Sequence, residues 1–321
     1  MSDKVRWGII STAGIAEKSF IPAARENNRG EIVAVASRSR DKADAFAKKP
    51  GIPTVLDDYT ALLESDAIDA VYNPLPNTMH AEWTVAAAES GKHIFCEKPL
   101  AMSVDEVNTM VDACEKNSVQ LVEAFVFLFH AQTLKLQALL DEGVIGDIVS
   151  THAYFNFRIQ RPSDNIRLNK DLGGGGYPIT FTRFVYGEEP LSLQAASFID
   201  PDHGVDTRVS AIVKFSGNRH EIIQQSIDAP GDPGAAIYGE KGSIQIPQPY
   251  HPRSGAHLIG EDRFPFEDDR HPFTPAVEHF HEVLLDGKSL AVPATQAAGT
   301  LAIVDAIQRS SEQGVRISLQ D

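Results

Sequence analysis

The chain has 321 residues and a formal net charge of −15, from 29 Lys and Arg against 44 Asp and Glu. Its length allows two domains, and its charge repels phosphate backbones and anionic membrane surfaces. We therefore expect neither a nucleic acid nor a membrane as partner. The two cysteines, Cys96 and Cys114, have neither disulfide nor metal spacing, which fits a reducing compartment. No apolar stretch reaches membrane-span length, and a strand-like run begins at Val5 without room for a leader, so we expect a cytoplasmic protein.

The first 122 residues alternate short apolar runs with helical stretches. This alternation predicts a doubly wound parallel sheet of the Rossmann type, covered by helices on both faces. Candidate helix caps are Ser39, Asp57, and Ser103 with Glu106 three residues later. The predicted strands are 5–10, 31–36, 70–72, 93–96 and 120–122, and the predicted helices include 41–48, 81–89 and 104–115.

After a predicted helix at 131–141 the pattern changes to strand-length runs separated by turns, which predicts a C-terminal α+β domain with an open, largely antiparallel sheet. We place the domains at 1–124 and 125–321, with the C-terminal helix packing back on the first domain. Most of the sequence between 231 and 272 outside the strands reads as surface loop. The predicted strands are 148–157, 192–199, 208–215, 220–227, 235–238, 243–246 and 315–319, and the predicted later helices are 276–285 and 294–310.

The turn after the first predicted strand is a candidate dinucleotide site. In such sheets a pyrophosphate binds at the first strand-to-helix turn, on a Gly-x-Gly-x-x-Gly/Ala pattern. Here Ser11 and Ala13 occupy the two leading glycine positions and Ala16 the last, so small residues carry a degenerate match. A tight turn that binds no ligand explains this stretch equally well. The candidate cofactor residues in this turn are Ser11, Thr12, Ala13, Gly14 and Ile15.

The end of the second predicted strand favours NADP over NAD. An NAD site normally presents Asp or Glu there to bind the ribose hydroxyls, and that carboxylate would repel a 2'-phosphate. This chain instead has Ser37 and Arg38, a hydroxyl and a planar, permanently charged guanidinium suited to phosphate. The alternative is that Arg38 and Arg40 are solvated charges in the first turn of a helix.

Lys98, in Glu97-Lys98-Pro99, follows the predicted strand 93–96. A lysine at the carboxyl end of a buried parallel strand lies next to the expected position of the nicotinamide. It can bind a substrate hydroxyl and exchange a proton as hydride moves at the same carbon. Surface strands also end in charged residues, so Glu-Lys-Pro alone is weak evidence.

The motifs at successive strand ends together resemble the Gfo/Idh/MocA oxidoreductase family, nearest to the branch of NADP-dependent D-xylose 1-dehydrogenase and dimeric dihydrodiol dehydrogenase. They are Trp7-Gly8-Ile9-Ile10 with Ile15-Ala16, the run from Tyr72-Asn73-Pro74 to Met79-His80, Gly91-Lys92-His93 before Glu97-Lys98-Pro99, and Glu123-Ala124-Phe125. The resemblance implies a nicotinamide-dependent oxidoreductase acting on a sugar, polyol or diol, with oligomerisation through an open sheet face. It also implies residue roles: Lys98 as acid/base, Glu97 beside the nicotinamide ribose, and Pro74, Leu75, Asn77 and His80 lining the nicotinamide side.

Two departures from the family pattern fall where the substrate is expected. Tyr177 aligns with the family's tyrosine, so the resemblance gives it a share in proton transfer with Lys98. Four residues earlier stands Gly173, where relatives carry an aspartate, and Leu128 stands where relatives often carry an arginine. Either the substrate differs from the usual sugars or hydride transfer is impaired. Alternatively, Tyr177 belongs to a Tyr-Pro turn that packs on the core.

Three further residues are candidate substrate contacts: Phe157, Arg158 and Arg167, near the end of a predicted strand. Solvated loop charges are the alternative explanation for both arginines. The histidines in the C-terminal half lack ligand spacing, so we predict no metal. We expect NADP as cofactor, with NAD possible, a small sugar or polyol substrate, and a homodimer or higher homo-oligomer. The competing functions are a catalytically impaired sensor of dinucleotide or sugar, and a hydrolase that oxidises its substrate transiently with tightly held NAD.

Overall fold

The computed structural model describes residues 3–26, 28–163, 165–169, 176–252 and 255–320, and the chain divides into two units. The first unit comprises Met1–Phe129 and Arg270–Ala298, and the second comprises His130–Asp269 and Gly299–Asp321. The predicted domains were 1–124 and 125–321, so the units differ from them in the position of the first boundary and in the residues after 269. Residues 270–298 belong instead to the compact unit formed by the N-terminal residues.

The first unit contains a six-stranded parallel sheet in the order β3-β2-β1-β4-β5-β6. The predicted doubly wound sheet is therefore confirmed. The bounds are β1 (Val5–Ile10), α1 (Ile21–Glu26), β2 (Gly30–Ala36), α2 (Arg40–Lys48), β3 (Thr54–Leu56), α3 (Tyr59–Leu63), β4 (Ala70–Asn73), α4 (His80–Glu89), β5 (His93–Cys96), α5 (Val104–Lys116) and β6 (Leu121–Glu123).

The second unit contains a nine-stranded sheet, in which β7 and β10 are parallel and the other paired neighbours are antiparallel. This confirms the predicted largely antiparallel sheet. The bounds are α6 (Ala131–Asp141), β7 (Ile148–Asn156), α7 (Tyr177–Tyr186), β8 (Ser192–Ile199), β9 (Asp206–Lys214), β10 (His220–Ser226), β11 (Gly234–Gly239), β12 (Ser243–Pro247), β13 (Gly255–Ile259), β14 (Asp262–Phe266), α8 (Phe273–Asp286), α9 (Gln296–Gln313) and β15 (Ile317–Ser318). Of these, α8 lies in the first unit, and α9 begins there.

Trp7 explains why α8 belongs to the first unit. It is fully buried on β1, and its ring contacts Phe20 at 4.9 Å and Phe280 of α8 at 5.7 Å between centroids. Its indole N–H donates to Nε2 of His281, also on α8, at 2.9 Å. Aromatic side chains of this size contribute much of a core's stability, so α8 completes the core beneath the parallel sheet.

Alternation of exposed and buried residues leaves one face of the larger sheet open. On β9 and β10, Val213, Glu221 and Ile223 are buried, whereas Ile212 and Ile222 are exposed. The period of two follows from strand geometry, in which successive side chains point to opposite faces. Within the described ranges, no helix combines the length and apolar character needed to cross a membrane.

Two predictions of local structure were wrong. The helix at Tyr59 is capped by Asp58, whose Oδ1 accepts from Ala61 N–H at 2.8 Å, and not by Asp57, which pairs with Arg40 instead. Part of the segment predicted as surface loop forms the hairpin of β13 and β14. Pro265 masks this pattern, and β14 tolerates it because it is the edge strand of the sheet.

Candidate functional site

The order of the parallel sheet reverses between β1 and β4, which lie side by side while the chain proceeds outward from each. In open sheets of this kind, ligands bind at the carboxyl ends of the strands at such a reversal. Three candidate segments follow strands that are adjacent at this point: residues 11–15 after β1, residues 74–80 after β4, and residues 97–99 after β5. Ser37 and Arg38 follow β2, the other neighbour of β1, so the sheet brings all first-unit candidates to neighbouring strand ends.

The turn after β1 has the backbone of a glycine turn although it begins with serine. Ser11 adopts φ 106°, a region that normally favours glycine. Its N–H donates to Ala36 O at 2.9 Å, and its Oγ accepts from Ala13 N–H at 3.2 Å, so the turn is tied to the end of β2. Ser11, Thr12 and Ala13 are half-buried, and Gly14 and Ile15 are exposed.

Ser37 and Arg38 directly follow β2, next to this turn. Ser37 is buried and its Oγ accepts from Ser39 N–H at 3.4 Å, whereas Arg38 is exposed. Within the described ranges Arg38 forms no ion pair, but Arg40 pairs with both Asp44 and Asp57. Of the two arginines at this strand end, only Arg38 therefore keeps an uncompensated positive charge.

The segment after β5 is held by hydrogen bonds to its neighbours. Glu97 N–H donates to Asn73 O at 3.0 Å, and Glu97 Oε1 accepts from the Tyr72 hydroxyl at 2.7 Å. Burial raises the pKa of Tyr72, which keeps that hydroxyl protonated as a donor. Lys98 is half-buried, and Leu100 N–H donates to Glu123 Oε1 at 2.8 Å. Neither Tyr72 nor Glu123 was a predicted site residue, although each belongs to a motif at a strand end.

His80 links the loop after β4 to the loop after β5. Its ring is fully buried, with Nε2 2.8 Å from Leu75 O and Nδ1 3.0 Å from Pro99 O and 3.2 Å from Leu100 O. Burial lowers the pKa of this imidazole. Both ring nitrogens therefore contact backbone carbonyl groups of the protein. Pro74, Leu75 and Asn77 of the same loop are also buried.

Tyr177 lies in an aromatic cluster of the second unit. It is the first residue of α7, is half-buried, and lies 5.3 Å between ring centroids from each of Phe155, Tyr250 and His251. Tyr250 is fully buried beneath the cluster, whereas His251 is exposed. Tyr177 thus opens a helix instead of forming an isolated Tyr-Pro turn, and the cluster presents aromatic surface.

Phe157, Arg158 and Arg167 are not brought to a single point. Arg167 is exposed and its guanidinium lies 5.6 Å from the centre of the Phe157 ring. Arg158 is also exposed, and it lines a cavity of about 750 Å³ whose nearby charges include Arg161, paired with both Asp200 and Asp228. The charge of Arg161 is therefore largely balanced by these two carboxylates.

The structure describes one of the two departures from the family pattern. Leu128 is half-buried and packs against the core of the first unit, so it serves that core as an apolar residue. The Gly173 position lies outside the described residues. Among the described residues, no group of three or more His, Cys, Asp and Glu side chains is arranged to hold a metal ion.

Comparisons with known proteins agree with this architecture. Residues 5–125 match the GFO/IDH/MocA model described as an oxidoreductase family with an NAD-binding Rossmann fold, and residues 133–245 match the GFO/IDH/MocA C-terminal domain. The chain is 34% identical to D-xylose 1-dehydrogenase (NADP(+)) 2 of Haloferax volcanii, over 98% of this chain and 99% of that protein. It is 32% identical to trans-1,2-dihydrobenzene-1,2-diol dehydrogenase of Xenopus tropicalis, over 80% of each. A crystal structure of a 3-ketoreductase from Actinomadura kijaniata, in complex with NADP and TDP-benzene, superposes with a TM-score of 0.87 at 27% identity, covering 96% of this chain and 98% of that one.

Proposed function

Because this chain belongs to the Gfo/Idh/MocA oxidoreductase family, we propose that it is an NADP-dependent enzyme that transfers a hydride between the nicotinamide and a carbon of a sugar, polyol or diol. The observation that carries the proposal is the position of Lys98, which directly follows β5 at the carboxyl edge of the parallel sheet. That edge is where such sheets bind dinucleotides.

The residues at this edge fit a dinucleotide. The backbone of residues 11–15 would hold the pyrophosphate, because its small side chains and the positive φ of Ser11 allow close approach. Ser37 and Arg38 would hold the 2'-phosphate that distinguishes NADP, since Arg38 keeps an uncompensated charge. When bound, the nicotinamide supplies the two-electron acceptor or donor. Pro74, Leu75, Asn77 and Glu97 are the remaining candidates around it, with His80 fixing the loop that carries them.

Lys98 would exchange the proton that accompanies hydride transfer. As an alcohol carbon loses its hydride, the Lys98 amine accepts the hydroxyl proton, and in the reverse direction its ammonium returns that proton to the carbonyl oxygen. Tyr177 would assist as a second hydroxyl group on the substrate oxygen. The aromatic cluster around Tyr177 would receive the apolar face of the substrate ring.

The open face of the nine-stranded sheet supports a homo-oligomer. Ile212 and Ile222 face each other across β9 and β10 and are 58% and 45% exposed. Exposed aliphatic side chains that are contiguous on an open sheet face support contact with another protein surface. We assign this face to contact with a second copy of the chain in the cytoplasm.

The reaction is tested by following the reduced-nicotinamide absorbance while aldoses, polyols and trans-diols are screened with both NADP and NAD. Lys98→Met should lower turnover of the best substrate by about a hundredfold or more, since it removes the acid/base group. Lys116→Met, a change at an exposed lysine at the end of α5, is the matched control and should leave turnover intact. Full activity of the Lys98 variant would refute the mechanism.

Leu128 and Gly173 are the basis for a second candidate function, a sensor that binds dinucleotide without turning over a substrate. Leu128 offers no polar group to a substrate, which is the observation that favours this alternative. Tight binding of NADPH in calorimetry, together with no oxidation or reduction across the same panel, would support the sensor and exclude the enzyme.

A further inference from the structure

We infer that Tyr72 is a positioning residue that fixes the carboxylate of Glu97, and that this fixed charge strengthens binding of oxidised NADP relative to NADPH. The inference rests on the proposed function, which places a dinucleotide at the carboxyl edge of the parallel sheet. It adds Tyr72, a residue of β4 that was not a predicted site residue, and it relates the charge of Glu97 to the two redox states of the cofactor.

The Tyr72 ring has a fixed position in the first unit. Tyr72 is fully buried near the end of β4, where its strand neighbours are Ile9 of β1 and Phe95 of β5. Its ring stacks on the ring of Phe20, with 3.9 Å between centroids and 4° between planes. Phe20 ends the short π-helix Ala16–Phe20, which directly follows the candidate pyrophosphate turn. A ring in a close-packed core has little freedom, so its hydroxyl group has a defined position.

The Tyr72 hydroxyl and the main chain of Lys98 hold the two carboxylate oxygens of Glu97. The hydroxyl donates to Glu97 Oε1 at 2.7 Å, and Lys98 N–H donates to Glu97 Oε2 at 3.3 Å. The main chain of Glu97 is held as well, because its N–H donates to Asn73 O at 3.0 Å. A glutamate without these bonds would sample several rotamers. The phenol therefore keeps the carboxylate at the sheet edge where we place the dinucleotide.

Neutral groups hold Glu97, so its negative charge is not cancelled by them. The two donors to its carboxylate are a phenol and a backbone amide, and within the described ranges Glu97 forms no ion pair. Burial raises the pKa of Tyr72 well above the usual range, and the charge of Glu97 raises it further. The phenol therefore stays a neutral donor at physiological pH.

The charge of Glu97 distinguishes the two forms of the cofactor, because the nicotinamide ring is positively charged when oxidised and neutral when reduced. A fixed carboxylate near the ring attracts the oxidised form and has little effect on the reduced form. Glu97 is half-buried, so water and salt screen its charge less than that of an exposed side chain. The ratio of the dissociation constants of oxidised NADP and NADPH therefore reports this charge.

The test measures binding of oxidised NADP and of NADPH, each alone, to the full chain by isothermal titration calorimetry. Glu97→Gln removes the charge and keeps the length of the side chain. It should raise the ratio of the dissociation constant of oxidised NADP to that of NADPH by about threefold to tenfold. Tyr72→Phe keeps the ring on Phe20 and should raise the same ratio by about twofold to fivefold, because the carboxylate loses its position.

A double variant and two control variants separate positioning from a structural effect. In the Glu97→Gln background, Tyr72→Phe should change the ratio no further, because the charge that it positions is gone. Tyr186→Phe removes another buried hydroxyl, which donates to His220 O in the second unit. Glu115→Gln removes an exposed carboxylate of α5. Neither control should change the ratio.

Two outcomes would overturn the inference while leaving the proposed function intact. One is a ratio in Glu97→Gln equal to that of the wild type. The other is a Tyr72→Phe variant that weakens both forms of the cofactor equally, or that changes the ratio as much without the Glu97 charge as with it, since Tyr72 would then have a purely structural role. A wild type that binds neither oxidised NADP nor NADPH would instead refute the proposed function, and the inference with it.

Discussion

At the residue scale, His80 and Lys98 show that residues of neighbouring motifs can have different roles. The ring nitrogens of His80 face three backbone carbonyls in a fully buried position, so its polar atoms are used within the protein. Lys98 lies at the adjacent strand end and is only half-buried. Resemblance to a family predicts the position of a residue reliably. The direction of its side chain decides whether the residue contacts a ligand or stabilises a loop that carries other ligand-binding residues.

Tyr177→Phe tests the assisting role at the same scale. We expect turnover to fall by roughly tenfold to a hundredfold, because a proton-transfer partner is lost while the aromatic packing on Phe155 and Tyr250 stays. The Michaelis constant for NADPH should not change. Steady-state kinetics with the best substrate from the screen measure both values.

The control for this experiment is thermal unfolding, which should be the same in both proteins because only a hydroxyl is removed from a half-buried ring. Turnover equal to that of the wild type would mean that Tyr177 is only a packing residue at the start of α7. It would leave the role of Lys98 untouched, since Lys98→Met tests that role separately.

At the scale of elements, the sequence predicted those strands and helices that show an undisturbed period and a capping residue. The helix α5 is an example, because the Oγ of its cap Ser103 accepts from Glu106 N–H at 3.2 Å, and Glu106 Oε2 accepts from the N–H of Met102, the residue before the cap. The strand β3 has three residues and no buried one, so its period was too short to detect. The Tyr-Pro start of α7 was weighed as a turn, although proline is common in the first turn of a helix.

The candidate site likewise has one part that the sequence predicts and another that it does not. Ser11, Arg38 and Lys98 stand directly after strands, and parallel strands place their carboxyl ends at one edge, so their proximity follows from the predicted sheet. The support from Tyr72 to Glu97 and from Glu123 to Leu100 depends on how side chains of separate elements pack. No spacing within a single chain segment encodes those contacts.

Glu221 provides a prediction for the contact between β10 and α7. It is fully buried, and burial raises the pKa of its carboxyl well above the usual range. Thr182 Oγ1 lies 2.8 Å from Pro178 O and also contacts Glu221, so a protonated Glu221 can donate to this oxygen while Thr182 donates to the carbonyl. Above pH 4.5 the folded chain therefore holds a proton that the unfolded chain has lost, and stability falls as pH rises.

Glu221→Gln should remove this dependence while keeping an N–H donor for Thr182. The wild type should lose up to about 1.4 kcal/mol per pH unit relative to the variant, over the range between the unfolded and folded pKa values. Hydrogen–deuterium exchange of β10 amides between pH 5 and pH 9, after correction for intrinsic exchange rates, measures the difference. Parallel stability profiles of the two proteins would mean that Glu221 is charged in the fold.

His281, at the contact between α8 and β1, predicts the opposite dependence of stability on pH. Its Nε2 accepts from Trp7, which requires the neutral ring, and burial lowers its pKa to about 4 from an ordinary value of 6.5. Below pH 6.5 the unfolded chain binds a proton that the folded chain resists, so stability present above pH 6.5 is lost as pH falls toward 4. The difference corresponds to about 3 kcal/mol for this group.

His281→Gln should reduce the loss of stability at low pH, because the amide oxygen accepts from Trp7 without titrating. Both tryptophans of the chain, Trp7 and Trp83, lie in the first unit, so tryptophan fluorescence during urea unfolding reports on that unit alone. Profiles are compared between pH 4 and pH 7, since other buried histidines titrate in both proteins and cancel in the difference. An equally steep wild-type and variant profile would contradict the assignment.

At the scale of the whole molecule, the charge of −15 and the exposed Ile212 and Ile222 would act in opposite directions on the proposed self-association. Like net charges repel two copies at long range, whereas burial of Ile212 and Ile222 attracts them at contact. Added salt screens the first effect over about 10 Å and leaves the second. A homo-oligomer built on this face should therefore tighten, and not dissociate, as ionic strength rises from 0.01 M to 0.15 M.

Replacing both isoleucines with glutamate tests that face directly. Ile212 and Ile222 are direct cross-strand partners, so Ile212→Glu with Ile222→Glu places two carboxylates side by side on each copy, and pairing two such faces would bring four together. We expect sedimentation velocity at micromolar concentration to show an oligomer for the wild type and a monomer for the variant. Leu134→Glu, at a 61% exposed leucine of α6, is the matched apolar-to-acid control and should sediment as the wild type. Thermal unfolding should show a modest destabilisation from the opposed carboxylates, and a wild type that sediments as a monomer at both ionic strengths would exclude this face as a contact between copies.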